Sequence, residues 1–395
     1  MRILFVSSFA WPTVIGGAEL TLHNLVSGMK SRGHEVCVTA LERKEDTALA
    51  PHDRRFPVRN IYRPDGASSH GTVTKLLWHG VDIWNPRAAW DFRKVLKEFQ
   101  PDVVSCHNLA GWSIAVWNEA QRRDIPIVHV LHDYYLMCTA GSMSKDGLPC
   151  TQRCARCKAF RLPHRGKSAA VSGVVAISEH MKTVFETAGY FPNARIDRIY
   201  NVEKPPAASA LAPQALPAPD AFGFIGRVAP HKGVEVLLEA FARADLPETA
   251  RLDIAGTGTE AYVAGLRARY ASPRIRFLGH TSPAAFFSGV SWTVAPSLSN
   301  EPLGRVIFES IGHGVPVIAS RRGGIPEMVD EGRTGHLVPP GDVLALRAAL
   351  EKAARQPMPL DRKTMAATVA TFFDTDRFLD EYENMYSFVT DTQTA

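Results

Sequence analysis

Two carboxylates eight positions apart, Glu301 and Glu309, mark the part of this chain with the clearest chemistry. Between them, Pro302 and Gly304 predict a tight loop, and an apolar helix follows it. The first N–H groups of a helix have no partner inside the helix, so such a turn can bind a phosphate. A carboxylate beside a phosphate would repel it, so both Glu side chains are better suited to accept hydrogen bonds from hydroxyl groups. Phosphate and hydroxyl groups together describe a nucleotide sugar.

The segment SNEPLGRVIFE, residues 299–309, is followed by the segment GGIPE, residues 323–327. Together they resemble the signature of the retaining family-4 glycosyltransferases, which have the GT-B fold, and the resemblance extends over most of the chain to about Gly341. For the Glu pair alone, an ordinary acidic helix start with a second Glu on a solvated face is the alternative, because charged pairs are common on helices. One departure is Asn201-Val202, where family members often carry Asn-Gly. It bears on the local turn more than on the activity.

The resemblance assigns roles to residues in and near this segment. Glu309 is expected to bind ribose hydroxyls, and Glu301 is expected to contact the donor sugar and is placed with the catalytic residues. Leu303 and Gly304 are expected to offer backbone N–H groups to the phosphate or the sugar. Gly256 lies in a Gly-Thr-Gly turn after a predicted strand and resembles the family's glycine turn beside the nucleotide. These residues form the predicted donor-binding set.

Two cations, Arg227 and Lys232, follow the carboxyl end of the predicted strand Phe222–Gly226. Cations at that edge can neutralise a diphosphate and stabilise the negative charge that grows on a leaving nucleotide. A surface Arg and Lys taken alone would simply be solvated. Here their placement resembles the family's phosphate-binding pair, so we predict a catalytic role for both.

A glycine pair, Gly16 and Gly17, follows the first predicted strand and opens the first predicted helix. Glycines there allow the backbone to approach a ligand closely. Taken alone the pair indicates only a turn, and it does not match the GxGxxG pattern of dinucleotide sites. The resemblance implies that this loop faces the donor phosphates and borders the acceptor site.

His132 ends the predicted strand Ile127–Leu131, where the family has an active-site histidine. Its implied role is to contact the donor sugar and stabilise the transition state. A histidine in a strand-end loop is otherwise a structural residue, and position alone does not decide between the two. His107 and Asn108 end another predicted strand and are predicted to lie on the acceptor side.

The sequence contains no obvious covalent nucleophile. The resemblance implies a transfer in which the leaving phosphate assists the acceptor hydroxyl on the same face of the sugar. It also implies that catalysis requires no divalent metal. The only Asp-x-Asp spacing of the nucleotide–metal kind, Asp374 to Asp376, lies near the C-terminus, away from the strand-end motifs.

Four cysteines fall within one predicted loop region: Cys138, Cys150, Cys154 and Cys157. Four thiolates this close suit a tetrahedral structural zinc ion, and the final CxxC is a typical zinc half-site. The spacing is not that of a standard finger or ribbon. Free or sensor thiols therefore stay open as an alternative, with an iron–sulfur cluster as a third. The predicted zinc would shape the acceptor side.

Basic residues accompany these cysteines, with no acidic residue between Thr151 and Ala170. They are Arg153, Arg156, Lys158, Arg161, Arg165 and Lys167. They either offset thiolate charge or form a patch for anionic headgroups or a lipid-diphosphate acceptor. An upstream apolar stretch could add a membrane-facing surface, although aromatic stripes more often belong to a core. It contains Leu76, Leu77, Trp78, Trp84, Trp90 and Phe92.

The composition bounds the class of protein. The chain has 395 residues, of which 45% are hydrophobic and 22% charged, values typical of soluble globular proteins. The net charge of +5 does not favour nucleic-acid binding. The apolar run after Met1-Arg2 is too short for a signal peptide or a membrane span. Six cysteines without an export signal favour a reducing compartment. We therefore predict a cytoplasmic protein, with contact at the inner face of the membrane as an open extension.

The elements that must hold these residues alternate between strand-like apolar runs and helical patterns. The predicted strands are Arg2–Ser7, Glu35–Thr39, Val103–His107, Ile127–Leu131, Gly173–Ile177, Ala221–Gly226, Arg251–Ala255, Arg274–Leu278, Trp292–Ala295 and Val315–Ala319. A stretch rich in Pro and Ala, residues 204–220, interrupts the pattern and predicts a linker. We therefore predict an α/β protein with two parallel-sheet domains.

The predicted domains are Rossmann-like. Residues 1–203 form the acceptor-side domain, and residues 221–377 form the nucleotide-sugar-binding domain. The GT-B resemblance implies that the two domains face each other across a substrate cleft. It also implies that a C-terminal helix, residues 378–395, returns to the first domain.

The sequence therefore favours a retaining glycosyltransferase that moves a hexose from a UDP- or GDP-sugar to a saccharide or lipid-linked acceptor. The resemblance implies bacterial cell-envelope or exopolysaccharide biosynthesis as the setting. A GT-B sugar-nucleotide epimerase is one alternative, although it is not expected to combine both Glu residues with Arg227 and Lys232. A catalytically silent nucleotide-sugar-binding scaffold is another, and the complete set of motifs argues against it.

Overall fold

The computed structural model describes residues 1–13, 16–42, 53–145, 148–203, 206, 219–270, 272–356 and 358–394. The chain divides into two units, each built around a parallel sheet. The first unit comprises Met1–Met143, Thr151–Val202 and Thr375–Ala395, and the second comprises Ser144–Cys150 and Glu203–Asp374. The predicted linker, residues 204–220, lies almost entirely outside the described residues.

Strands and helices alternate along both units. The strands are β1 (Arg2–Val6), β2 (Glu35–Leu41), β3 (Arg54–Phe56), β4 (Val103–Cys106), β5 (Ile127–Leu131), β6 (Ser144–Lys145), β7 (Leu148–Pro149), β8 (Gly173–Ala176), β9 (Arg195–Arg198), β10 (Ala221–Ile225), β11 (Arg251–Ala255), β12 (Ile275–Gly279), β13 (Trp292–Ala295), β14 (Val317–Ser320) and β15 (Gly335–Val338). The α-helices are α1 (Gly17–Ser31), α2 (Thr72–Ile83), α3 (Pro86–Phe99), α4 (Ala115–Gln121), α5 (Ala155–Phe160), α6 (Leu162–Lys167), α7 (Glu179–Thr187), α8 (Val234–Arg243), α9 (Glu260–Tyr270), α10 (Pro283–Gly289), α11 (Arg305–Gly312), α12 (Val343–Arg355), α13 (Arg362–Ala367) and α14 (Thr375–Thr394).

The sheet of the first unit has the strand order β3-β2-β1-β4-β5-β8-β9, and its neighbouring strands are parallel. The chain builds outward from β1 on one side and then restarts with β4 on the other. Strands β4 and β5 are buried along their whole length, as expected for a parallel sheet with both faces covered. Ligands of such sheets bind outside the carboxyl ends of the strands, where the direction of building reverses. In this unit that point lies between β1 and β4.

The sheet of the second unit repeats this plan in the order β12-β11-β10-β13-β14-β15, again with parallel neighbours. The direction of building reverses between β10 and β13. Helices α8 and α12 bury an apolar face in the core cluster that also contains β10 and β11. The carboxyl ends of β10 and β13 are therefore the expected ligand edge of this unit.

The C-terminal helix α14 belongs to the first unit. Its apolar stripe is buried and consists of Phe378, Leu379, Tyr382, Met385, Tyr386 and Val389. Gly173, which begins β8, has no room for a side chain, because a Cβ there would lie 2.6 Å from the sulfur of Met385. Arg32, at the end of α1, forms ion pairs of 2.6 Å with both Asp380 and Glu383. The helix is therefore joined to this sheet by packing and to α1 by charge.

The predicted fold class of parallel α/β sheets is confirmed. Every predicted strand is present, with ends that differ from the prediction by no more than two residues. Strands β3, β6, β7, β9 and β15 escaped prediction. The edge strands β3 and β9, with the sequences RRF and RIDR, are short and charged. Within the described residues, no helix combines the length and the hydropathy needed to cross a bilayer.

Candidate functional site

The carboxyl ends of β10 and β13 hold a largely buried ion pair. Lys232 lies in the short 3-10 turn Pro230–Lys232 that follows β10, and its Nζ lies 2.7 Å from Oε1 of Glu301. Ser297 Oγ donates a second hydrogen bond of 2.8 Å to the same carboxylate oxygen. The structure therefore brings two of the predicted catalytic residues into contact, and it adds Ser297, which sequence reasoning missed.

These partners keep Glu301 charged. Burial alone would raise the pKa of its carboxyl, but the Lys232 ammonium and the hydrogen bonds from Lys232 and Ser297 outweigh burial and hold the pKa below its usual value. Burial also lowers the pKa of the neighbouring His231, with the Lys232 and Arg227 cations adding to that effect. Arg227 itself is exposed. The edge therefore carries one cation paired with Glu301 and one open to solvent, beside a neutral imidazole.

Close backbone contacts fix the loop that carries Glu301. Gly323 has a φ of +60°, and a Cβ there would lie 2.2 Å from the carbonyl oxygen of Glu301. The N–H of Gly324 donates a 2.9 Å hydrogen bond to that same carbonyl. Gly256 has a φ of +126°, and a Cβ there would lie 1.8 Å from the carbonyl oxygen of Gly226. Glycine is therefore needed at both turns for steric reasons.

Helix α11 begins directly after this loop. Gly304, its N-cap residue, has a φ of +91°, in the left-handed region that favours glycine. Leu303 is buried, so it can meet a ligand only through its backbone. Because the first N–H groups of a helix lack partners inside the helix, this end of α11 can receive an anion next to Lys232 and Glu301.

Glu309, the second predicted carboxylate, lies one turn along α11 and pairs with Arg305 at 3.0 Å. The same guanidinium nitrogen of Arg305 lies 2.5 Å from Oε1 of Glu203. Burial raises the pKa of Glu203, and the Glu309 carboxylate adds to that effect while Arg305 opposes it. Two carboxylates therefore share one cation. Sequence reasoning singled out neither Arg305 nor Glu203.

At the matching edge of the first sheet, His132 follows β5 and His107 follows β4. Nδ1 of His107 lies 2.9 Å from Nε2 of His132, and Nε2 of His107 lies 3.2 Å from Oγ of Ser105. Burial lowers the pKa of His132 to about 4 and holds the pKa of His107 well below its usual value. Both rings are therefore neutral at pH 7. His107 was predicted on the acceptor side, but it is buried against His132.

A cavity of about 520 Å³ lies in the first unit. Its aromatic lining consists of Phe9, Tyr62, Trp78 and Tyr135. Its polar lining consists of Asp65, Lys75, His79, Asn108, Asp133, Thr139, Arg156 and Arg161. The rings of Tyr62 and Trp78 are stacked, with centroids 5.6 Å apart. Aromatic faces beside several hydrogen-bonding groups suit a small polar ligand such as a sugar, and Asn108 is among the predicted acceptor-side residues.

A buried ion pair supports the wall of this cavity. Arg161 Nη2 lies 3.3 Å from Oδ2 of Asp82, and both side chains are fully buried. Asp82 also accepts hydrogen bonds from the Tyr135 hydroxyl at 2.8 Å and from the Gly111 N–H at 2.7 Å. Burial raises the pKa of Asp82 to about 6, although Arg161 opposes the shift. The placement of Arg161 in an exposed basic patch is therefore wrong, because its charge is used inside the fold.

Two family models match the chain. The model described as Glycosyltransferase Family 4 matches residues 15–202, and the model described as Glycosyl transferases group 1 matches residues 219–356. Together the matches span most of the chain and contain the strand-end residues described above. The chain belongs to the family-4, group 1 glycosyltransferases.

Relatives of this glycosyltransferase match it over most of its length. An uncharacterized 42.6 kDa protein in the cps region of Klebsiella pneumoniae is 28% identical over 332 residues, which are 83% of this chain and 87% of that protein. The phosphatidyl-myo-inositol mannosyltransferase of Mycobacterium leprae is 26% identical over 381 residues, 94% of this chain and 92% of that protein.

A solved structure with the same fold is that of Anabaena HepE in complex with UDP and glucose. It has a TM-score of 0.72 and 21% sequence identity, covering 98% of this chain and 99% of that one. The GT-B fold predicted for this glycosyltransferase is confirmed by such neighbours.

The glycine loop of this glycosyltransferase is described in part, since residues 14 and 15 lie outside the described residues. Helix α1 begins at Gly17, and the N–H of Gly16 donates a 2.8 Å hydrogen bond to Glu19. Burial raises the pKa of Asp133 to about 6, and the Glu19 carboxylate adds to that effect. A buried carboxylate therefore lies close to the glycine pair, which the sequence pattern did not indicate.

The predicted zinc ligands are divided between the units: Cys138, Cys154 and Cys157 lie in the first and Cys150 in the second. A hydrogen bond between Cys157 and Cys138, together with three backbone N–H groups, lowers the pKa of Cys138 to about 6. The same pairing and burial raise the pKa of Cys157 to about 12. Across the described part of the chain, no group of three or more Cys, His, Asp or Glu side chains is placed to hold a metal ion. The zinc site stays a prediction.

Proposed function

We propose that this protein is a retaining glycosyltransferase that transfers a hexose from a UDP- or GDP-sugar to a saccharide or lipid-linked acceptor in bacterial envelope or exopolysaccharide biosynthesis. The observation that carries the proposal is the Lys232–Glu301 pair at the switch point of the second sheet, directly before the N-terminus of α11. A cation next to a helix N-terminus suits a diphosphate. Carboxylates beside it suit the hydroxyl groups of a sugar and a ribose.

In the proposed reaction the acceptor hydroxyl oxygen forms a bond to the anomeric carbon on the face from which the nucleotide leaves. The bond between the anomeric carbon and the β-phosphate oxygen breaks, and the acceptor proton passes to that phosphate oxygen. Lys232 and the exposed Arg227 stabilise the negative charge that grows on the leaving diphosphate. Glu309 accepts hydrogen bonds from the ribose and gives up part of its contact with Arg305.

The acceptor is proposed to bind in the 520 Å³ cavity of the first unit. The stacked pair of Tyr62 and Trp78 offers apolar faces to a pyranose ring. Lys75 and Arg156 add positive charge to the lining, which suits a phosphate on a lipid-linked saccharide.

The known relatives support this class of donor and acceptor. HepE was crystallised with UDP and glucose, and the Mycobacterium leprae relative is described as transferring mannose to phosphatidyl-myo-inositol. The Klebsiella relative lies in a cps region. A sugar nucleotide as donor and an envelope saccharide or lipid as acceptor are consistent with all three.

The experiment that tests the proposal is a screen of thermal stabilisation and nucleotide release across UDP- and GDP-sugars, with and without lipid extract. We expect one nucleotide sugar to raise the melting temperature and to release its nucleoside diphosphate slowly. The Lys232→Ala variant should no longer release the nucleoside diphosphate. The matched control Lys352→Ala, an exposed lysine on α12, should still release it.

Three outcomes would contradict the proposal in different ways. Failure of every nucleotide sugar to bind would reject the donor class. Binding without release under any acceptor condition would favour the silent scaffold. Conversion of the bound sugar nucleotide into an isomer, without nucleotide release, would favour the epimerase.

We also propose that the first unit contacts an anionic membrane surface. Val73 and Leu77 on α2 and Leu162 on α6 expose most of their side chains. Exposed basic residues lie on α5 and α6: Arg156, Lys158, Arg165 and Lys167. Helices α2 and α5 are neighbours, since the rings of His79 and Phe160 lie 5.7 Å apart. Apolar side chains flanked by cations suit an anionic lipid interface.

This membrane surface differs from the predicted one, because Trp78 and Phe92 are buried. It is tested by co-sedimentation with vesicles of phosphatidylglycerol and phosphatidylcholine and with vesicles of phosphatidylcholine alone. We expect binding only to the anionic vesicles and its loss in the double variant Leu77→Glu/Leu162→Glu. Leu344→Glu, equally exposed but on α12 of the second unit, should leave binding unchanged. Equal loss in both variants would contradict this surface.

We further propose that the four cysteines bind a structural zinc ion, supported by the contact between the Cys138 and Cys157 thiols. Purified protein should then carry about one zinc per chain. Cys154→Ser, at an exposed position, should reduce the zinc content, whereas Cys37→Ser in β2 should not. A metal-free protein with the same melting temperature would reject the zinc ion.

A further inference from the structure

A line of hydrogen bonds joins the C-terminal helix to His132 inside the first unit. The Tyr386 hydroxyl on α14 lies 2.9 Å from Oγ of Ser105 in β4. Ser105 Oγ lies 3.2 Å from Nε2 of His107, and His107 Nδ1 lies 2.9 Å from Nε2 of His132. The side chains of Tyr386, Ser105 and His107 are buried.

The direction of one of these hydrogen bonds fixes the direction of the others. A hydroxyl has one hydrogen to donate, and a neutral imidazole has one N–H and one acceptor nitrogen. A phenol is more acidic than an alcohol, so Tyr386 donates to Ser105. The Ser105 hydrogen is then directed to His107, whose Nε2 must be the unprotonated nitrogen. Neutral His107 therefore carries its hydrogen on Nδ1 and donates it to Nε2 of His132.

His132 is left with its own hydrogen on Nδ1. This nitrogen is buried and has no hydrogen-bonding partner among the described residues. A buried N–H without a partner is unfavourable, so such groups in proteins usually meet an acceptor. The N–H at the end of the line is therefore available for an oxygen atom of a ligand.

We propose that Tyr386, Ser105 and His107 are positioning residues that hold His132 in the tautomer protonated on Nδ1, so that it donates a hydrogen bond to a substrate oxygen. With the opposite direction, Nδ1 would be an acceptor and would suit a hydroxyl hydrogen instead. The substrate contact rests on the proposed glycosyl transfer, whereas the tautomer of His132 is a property of the free protein. The two can therefore fail separately.

The test is ¹⁵N NMR of the ligand-free protein labelled at histidine, with His132→Gln used to assign the His132 signals. Wild-type protein is expected to show a protonated Nδ1 and an unprotonated Nε2 for His132. Tyr386→Phe removes the first donor. The Ser105 hydroxyl is then free to accept from His107, and the rings should shift toward the opposite tautomer.

The same helix provides a matched control. Tyr382 lies one turn before Tyr386, is equally buried, and has a hydroxyl with no partner among the described residues. Tyr382→Phe removes the same atom from the same helix without touching the line of hydrogen bonds. It should leave the His132 tautomer unchanged. Ser105→Ala tests the next link independently of any packing change in α14.

A protonated Nε2 on wild-type His132 would overturn the inference, as would an unchanged tautomer in both Tyr386→Phe and Ser105→Ala. In turnover with the donor found by the screen, Tyr386→Phe should lower kcat by roughly tenfold at an unchanged KM, since the misplaced hydrogen bond acts on the transition state. The kcat of the Tyr382→Phe variant should stay within about twofold of the wild-type value. Absence of turnover in the wild type would reject the proposed function and leave the NMR result to decide the tautomer.

Discussion

The two sheets share a topology, but the residues at their ligand edges differ in charge. In the first unit burial suppresses charge at the strand ends, because it lowers the pKa values of His107 and His132 and keeps both rings neutral. In the second unit charge is kept, because Lys232 holds Glu301 ionised. One strand plan therefore supports opposite electrostatics, depending on which partners surround each group. The neutral edge suits hydroxyl groups, and the charged edge suits a diphosphate.

The largest expected effect comes from breaking the fully buried ion pair of the first unit, Arg161 with Asp82. Arg161→Met leaves a carboxylate buried without its cation and should lower the free energy of unfolding by about 3–5 kcal/mol. The loss in the free energy of unfolding is measured by chemical denaturation. Lys158→Met, at an exposed position on α5, should change the free energy of unfolding by less than about 0.5 kcal/mol. Adding Asp82→Asn to Arg161→Met should restore part of the lost free energy of unfolding. An Arg161→Met protein as stable as wild type would contradict a stabilising role for this ion pair.

The next effect comes from removing the cation of the second unit. Lys232→Ala should lower kcat/KM for the donor by roughly 10²–10³, because charge stabilisation of the leaving diphosphate is lost. Lys232→Arg should keep more of the rate, since it keeps the charge. Rates measured by nucleotide release that stay within twofold of wild type would remove Lys232 from the mechanism.

Glu309→Ala should act on donor binding more than on the chemical step. Loss of hydrogen bonds to a charged acceptor weakens binding by about 10- to 100-fold, and we expect this in KM for the nucleotide sugar. The isosteric Glu309→Gln should show a smaller rise, because one acceptor oxygen is kept. A fall in kcat at constant KM would instead place Glu309 at the reacting sugar.

The smallest effect concerns the pH dependence of stability through a buried histidine of the first unit, His129. Burial lowers the pKa of His129 to about 3, whereas an unfolded histidine titrates near 6.5. Between these values the unfolded chain binds more protons, so stability falls as the pH falls. His129→Gln should remove about 2 kcal/mol of the stability lost between pH 7 and pH 5. Denaturation curves with the same pH dependence in both proteins would contradict a neutral His129.

The parts of the fold and the site that could be predicted are those that depend on residues close together in the sequence. The strands are runs of apolar residues, and Lys232, Glu301 and Gly304 lie in motifs that follow a strand directly. What escaped prediction depends on residues far apart in the chain, such as Ser105 with Tyr386 and Asp82 with Arg161. No periodicity connects such positions. Their partners are chosen by the packing of helices onto the sheet, which a pattern of residue types does not contain.

Helix α14 has a consequence for the order in which this protein is made. It completes the core of the first unit, yet it leaves the ribosome only after the main segment of the second unit. At a synthesis rate of roughly 5–20 residues per second, the second unit's main segment, residues 203–374, takes roughly 10–35 seconds to appear. During that time the face of β4, β5 and β8 that α14 will cover is without its partner. Unlike domains that fold in order from the N-terminus, the first unit here can finish folding only after the second has been synthesised.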